Sequence, residues 1–134
     1  MGSLATVADE VISFHEQLCG SWEQLTAGPV DPGMILHVPD EFPWEPLKLR
    51  GLEALTTFRA ALSTLTDGTF STATQDSTAD EHIVAVRCRE RAARDSDELE
   101  WSSMWIYVLA RGAICEARII HALPGDKLAQ FWCG

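Results

Sequence analysis

The chain has 134 residues, 46% of them hydrophobic and 22% charged, which fits one domain with a core of its own and leaves too little for two. Its 20 acidic against 10 basic residues give a formal charge of -10, and no Lys/Arg-rich run offsets that, so a nucleic-acid phosphate backbone is an unlikely partner. No apolar run is long enough to cross a bilayer, and the first residues carry acids where a signal peptide carries positive charge, so the expected setting is the cytoplasm.

Taken in chain order, Val7, Val11, Phe14 and Leu18, with Ala8, Ile12 and His15 alongside, follow the helical period and predict a first helix from about Leu4 to Cys19. Residues 20–28 read as a short second helix, started by Ser21 and stopped by Gly28-Pro29. Residues 33–39 read as a strand, bounded by Gly33 and Pro39 and carrying His37 near its end. The stretch that follows is rich in proline and acid, from Asp40 through Trp44 to Gly51. There Pro39, Pro43 and Pro46 restrict the backbone, so Trp44 can be held as a lid over a pocket at low entropic cost. A stiff acidic lip of that kind suits a neutral or cationic hydrophobic ligand better than an anion.

A third helix follows Gly51, with Leu52, Leu55, Phe58, Arg59, Leu62 and Leu65 in one stripe. The second half is strand-rich: residues 69–79, 82–92, 98–110 and 113–123 are separated by short hairpin connections, and residues 125–132 suggest a terminal helix. If Arg91 faces Glu98 and Arg89 faces Glu100, one sheet face is charged. The other then collects Val84, Val86, Cys88, Trp101, Ser103, Trp105 and Tyr107. Continuing through the turn at Arg111-Gly112 pairs Tyr107 with Glu116 and Trp105 with Arg118, which places Glu116 and Arg118 on the aromatic face. A bulge in the last strand would instead make His121 the inward group. Helices first and a meander afterwards predict an α+β domain over residues 1–134, a curved antiparallel sheet packed against N-terminal helices.

Leu36-His37-Val38-Pro39, Arg50-Gly51-Leu52-Glu53, residues 111–116 and the terminal Phe131-Trp132 together resemble the SnoaL-like polyketide cyclase and ketosteroid isomerase group of the nuclear-transport-factor-two-like superfamily. The resemblance spans nearly the whole chain. It implies a cone-shaped, cystatin-like α+β barrel, often a homodimer through the outer sheet face, with a deep pocket between helices and sheet. Catalytic members typically carry a carboxylate on the last strand or near the end of the first. This sequence departs from that pattern, reading Ile119-Ile120-His121-Ala122 after Arg118.

The candidate catalytic residues are therefore His121 and His37 as proton acceptors near neutral pH, Arg118 as a charge stabiliser, and Asp40 as a group orienting His37. Trp44, Trp101, Ser103, Trp105, Tyr107 and Glu116 are the candidate binding residues, because a small polar Ser103 amid large flat rings leaves a cleft. Cys19, Cys88, Cys115 and Cys133 lack metal-site spacing and read as buried thiols, so neither a metal nor a cofactor is expected. The expected activity is a cofactor-independent cyclase or isomerase acting by general acid–base chemistry on a hydrophobic oxygenated molecule. The alternatives are an epoxide-opening hydrolase or cyclase, and a non-catalytic binding domain of the same fold.

Overall fold

The computed structural model describes residues 4–20, 22–26, 28–39, 42, 48–94, 97–121 and 131. Helix α1, Leu4–Cys19, has the predicted bounds, and a single 3-10 turn at Trp22–Gln24 stands where a short second helix was expected. Strand β1, Val30–His37, leads to helix α2, Gly51–Leu65, and the meander follows as β2, Ser71–Ala79, β3, Ile83–Arg94, β4, Asp97–Ala110, and β5, Ala113–His121. Asp40, Trp44 and the expected terminal helix, apart from Phe131, lie outside the described residues.

The five strands form one sheet in the order β1-β5-β4-β3-β2. Three of its four pairings are antiparallel, but β1 runs parallel to β5, so the sheet is mixed where an antiparallel one was expected. Both helices bury one stripe against it. In α1 the buried positions are Ala8, Val11, Phe14, His15 and Leu18, and in α2 they are Gly51, Ala54, Leu55, Phe58, Arg59 and Leu62. Each stripe repeats at three- and four-residue intervals, the period that keeps one helix face turned to the core.

Two registers depart from expectation. In the β3–β4 hairpin Arg91 pairs with Glu100 and Arg89 with Ser102, a slide of two residues, because the ladder runs on until Arg94 faces Asp97. A two-residue slide leaves every side chain on its expected face. The expected ion pairs survive as diagonal contacts, Arg89 to Glu100 at 2.7 Å and Arg91 to Glu98 at 3.6 Å.

The β4–β5 hairpin closes tightly at Arg111 and Gly112, both with positive φ, the turn whose twist matches paired strands. Its register then shifts between Val108 and Leu109: Leu109 faces Ile114, but Val108 faces Glu116, which leaves Cys115 as the extra residue of a bulge. Beyond the bulge Trp105 pairs with Ile119 and Ile106 with Arg118. The inner face of β5 is consequently Ile114, Ala117 and Ile119, all buried, while Arg118 and Ile120 are exposed.

Gly51 fixes where α2 starts. Its φ is +63°, and a Cβ built there would stand 2.9 Å from the carbonyl oxygen of Pro32 in β1. Both the left-handed backbone and the close approach exclude a side chain, so Gly51→Ala is expected to lower stability by at least about 1–3 kcal/mol. Chemical denaturation of the two proteins measures it.

Candidate active site

The described interior contains two charged side chains and an imidazole. Glu90 of β3 is 2% exposed, Arg59 of α2 is 7% exposed and His15 of α1 is fully buried. Glu90 reaches the inside because β3 alternates strictly, with Val84, Val86, Cys88, Glu90 and Ala92 all turned inward. Across the sheet it faces Trp101 of β4, and Ser103 and Trp105 of the same strand serve it. The Ser103 hydroxyl donates to Glu90 Oε1, and the Trp105 indole Nε1–H donates to the same oxygen at 3.1 Å.

Two donors on one oxygen favour the carboxylate, yet burial outweighs them. The Glu90 pKa is pushed up from 4.5 to about 6, with desolvation the largest cause and the Ser103 and Trp105 hydrogen bonds and the Arg59 charge acting the other way. The balance between its two forms therefore falls near pH 6, above the ordinary carboxylate range.

His15 supplies a second polar focus. Its Nδ1 lies 2.5 Å from the Tyr107 hydroxyl, and its Nε2 lies 3.3 Å from Cys88 Sγ and 3.5 Å from Cys19 Sγ. Burial drives its pKa down to about 4, so the ring is neutral under ordinary conditions. A neutral imidazole has one N–H, so whichever nitrogen donates, the other accepts, and Tyr107, His15 and the thiols form one hydrogen-bonded chain. The Tyr107 phenol and the Cys19 thiol are both pushed well up by burial, so they too are neutral. Edge-on rings complete the packing: His15 stands 5.1 Å from Trp105, and Phe58 stands 6.2 Å from the same indole.

The structure divides the residues expected from the sequence. Trp101, Ser103, Trp105 and Tyr107 are all on the inner face and buried, as expected. His121, which pairs with Ser103 at the end of β5, is half-buried with its ring centroid 5.8 Å from Trp101. That is the bulged-strand outcome. Glu116 and Arg118 are corrected: the bulge at Cys115 reverses the strand's parity and turns both to the outer face. His37 joins them there, because Met34 and Leu36 take the inward positions of β1. The three form one partly exposed cluster, with Glu116 Oε1 2.9 Å from His37 Nε2 and 2.6 Å from Arg118 Nη2. None of them faces Glu90.

Glu90, Arg59 and His15 were the residues sequence reasoning passed over. Arg59 and His15 had been placed on buried helix stripes, and Glu90 continues the inward alternation from Val84, so each carried a positional signal.

Comparison of the whole chain with solved structures places the architecture. A protein named Bal32a, from a soil-derived mobile gene cassette, superposes with a TM-score of 0.80 at 16% identity, covering 96% of this chain and 98% of that one. A protein of unknown function with a cystatin-like fold from Xanthomonas campestris gives 0.74 at 17% identity, over 93% and 97% of the two chains. A candidate SnoaL-like polyketide cyclase from Jannaschia sp. CCS1 gives 0.68 at 14% identity, over 100% and 99%. The fold is thus the cystatin-like, SnoaL-like α+β fold. No protein-family model matches the sequence, and no curated protein matches it.

The opposed shifts of Glu90 and His15 have a measurable consequence. Between pH 4.5 and 6 the fold keeps a proton on Glu90 that the unfolded chain releases, so this group's contribution to stability falls as pH rises. Between pH 4 and 6.5 the unfolded chain holds a proton on His15 that the fold does not, so that contribution rises with pH. Relative to wild type, Glu90→Gln should gain about 2 kcal/mol of stability across the first range, and His15→Gln should lose about 3 kcal/mol across the second. Urea denaturation at a series of pH values reads both slopes.

Proposed function

We propose that this chain is a small-molecule enzyme of the SnoaL-like cyclase and isomerase kind, acting by general acid–base chemistry on a hydrophobic oxygenated substrate. The observation that carries the reading is Glu90: a carboxyl group at the centre of an aromatic interior, anchored by Ser103 and Trp105 and poised near pH 6. Similarity of fold to a candidate SnoaL-like polyketide cyclase supports it.

In this reading Ser103 and Trp105 hold Glu90 Oε1, and Oε2 takes a proton from the carbon beside a substrate carbonyl. Proton-transfer groups work best with a pKa near the working pH, and burial gives Glu90 that property. Negative charge develops on the substrate oxygen as the proton leaves. The Tyr107 hydroxyl, backed by His15, donates to it, a neutral donor that needs no reorganisation because its partner is already fixed. The aromatic walls hold the carbon skeleton and keep water out. Glu90 thus takes the part that the sequence had suggested for His121. His121 at the strand end, beside Trp101, is a second candidate for moving a proton to the product.

Deuterium exchange at the central carbon of 1-phenylbutane-1,3-dione, followed by NMR in heavy water, tests the assignment. Glu90→Gln is expected to lower the enzyme-catalysed exchange by about a hundredfold or more, with an unchanged circular dichroism spectrum. If His121→Ala abolishes exchange and Glu90→Gln does not, the proton is handled at the strand end and the assignment to Glu90 is wrong.

Association of two copies through the outer sheet face is part of the same proposal. That face carries Met104 and Ile106 beside exposed Ile83 and Ile120, flanked by the Arg/Glu ladder. Sedimentation at micromolar concentration is expected to report a dimer, and Ile106→Arg to shift it toward monomer.

A further inference from the structure

Arg59 makes fewer bonds than its burial demands. The guanidinium is 7% exposed, its Nη2 donates to the Cys19 carbonyl at 3.3 Å, and its carbon lies 4.9 Å from the centroid of the Phe70 ring. Nε and Nη1 are buried without a hydrogen-bond partner, and among the described residues no carboxylate comes within salt-bridge distance. The backbone carbonyl and the ring face compensate only partly for a buried full charge. The charge of Glu90 lowers this cost through space, yet burial raises the proton affinity of Glu90 itself.

Polar groups and an open groove lie next to the residues that hold Arg59. Thr72 of β2 pairs with Glu90 across the sheet, its hydroxyl beside the Cys19 and Cys88 thiols. An open groove of about 290 Å³, lined by Glu16, Cys19, Gly20, Thr72 and Thr74, runs over the same Cys19 whose carbonyl holds Arg59.

We infer that Arg59 is a specificity residue which receives a delocalised oxygen anion, a carboxylate, enolate or phenolate, on an otherwise flat apolar ligand. This names the substrate class of the site proposed above and rests on that reading. Nε and Nη1 lie on different edges of the guanidinium and both are unused, so each can donate to an anionic oxygen, with Nη2 shared between the edges. Phe70, Phe58 and the indoles of Trp101 and Trp105 suit a flat skeleton. A ligand anion here would complete the pairing of Arg59 and raise the proton affinity of Glu90, favouring its acid form. The net charge of -10 works against an anion's approach, so selectivity arises at the buried cation and not from the surface field. The acidic lip expected to disfavour anions is overruled in this inference by a charge inside.

Equilibrium binding of 2-naphthoate and its neutral isostere 2-naphthamide, followed by quenching of tryptophan fluorescence, decides it. Wild type is expected to bind the carboxylate at least tenfold more tightly, Arg59→Met to bind the two alike, and Arg59→Lys to keep part of the preference. Equal binding by wild type, or a preference that survives in Arg59→Met, overturns the inference. Should Arg59→Met fail to fold by circular dichroism, the wild-type ratio and its reduction in Arg59→Lys decide alone. Glu90→Gln is expected to keep the carboxylate preference, so a failure of the proton-transfer assignment leaves this measurement intact.

Discussion

The interior is organised around a carboxyl group that has little access to solvent. Burying Glu90 in an aromatic core costs free energy unless donors meet it, and the sheet supplies two from one strand, Ser103 and Trp105, spaced so that both reach Oε1. The rest of the inner face follows from that demand. Trp105 must present its indole N–H to the acid, which sets the ring edge against His15 and Phe58. His15 is then left with Tyr107 and the two thiols as partners, and stays neutral.

Opposite charges inside this core are close enough to feel each other and too far apart to pair. Glu90 and Arg59 each shift the other's proton affinity, yet no salt bridge joins them. A direct pair would hold both groups in the charged form. Separation leaves the acid with a raised proton affinity, an arrangement more common in reacting sites than in cores built only for stability.

Most of the fold was legible in the sequence, because both helices and the meander have clean hydrophobic periods. Helix α1 appeared with its bounds correct, and α2 began at the glycine its sequence marks. The site was only half legible. Trp101, Ser103, Trp105 and Tyr107 follow from simple alternation, and Glu90 obeys the same rule, but it lies between Arg89 and Arg91 and looks like one more member of the charged ladder. That ladder in fact belongs to the opposite face. Of the partners of His15 only Cys19 is one helical turn away, while Cys88 and Tyr107 lie 73 and 92 positions away, where no local pattern reveals them. The inward set of β5 was unreadable for a different reason. One extra residue at Cys115 exchanges inside for outside along everything after it, and nothing in the local composition marks where the extra residue falls. The parallel partner of β1 was likewise a matter of long-range geometry.

That parallel pairing bears on how the molecule comes into being. Among the described residues strand β1 has one neighbour in the sheet, and it is β5, whose paired residues lie more than 80 positions further along the chain. During synthesis β1 and α2 emerge early, yet β1 must wait with its backbone groups unmatched until the last strand has left the ribosome. The hairpins of the meander can form among themselves in the meantime, since each joins adjacent segments. The β1–β5 pairing closes a far longer loop than any hairpin does, so contact order alone sets it apart as the slow step in completing the sheet.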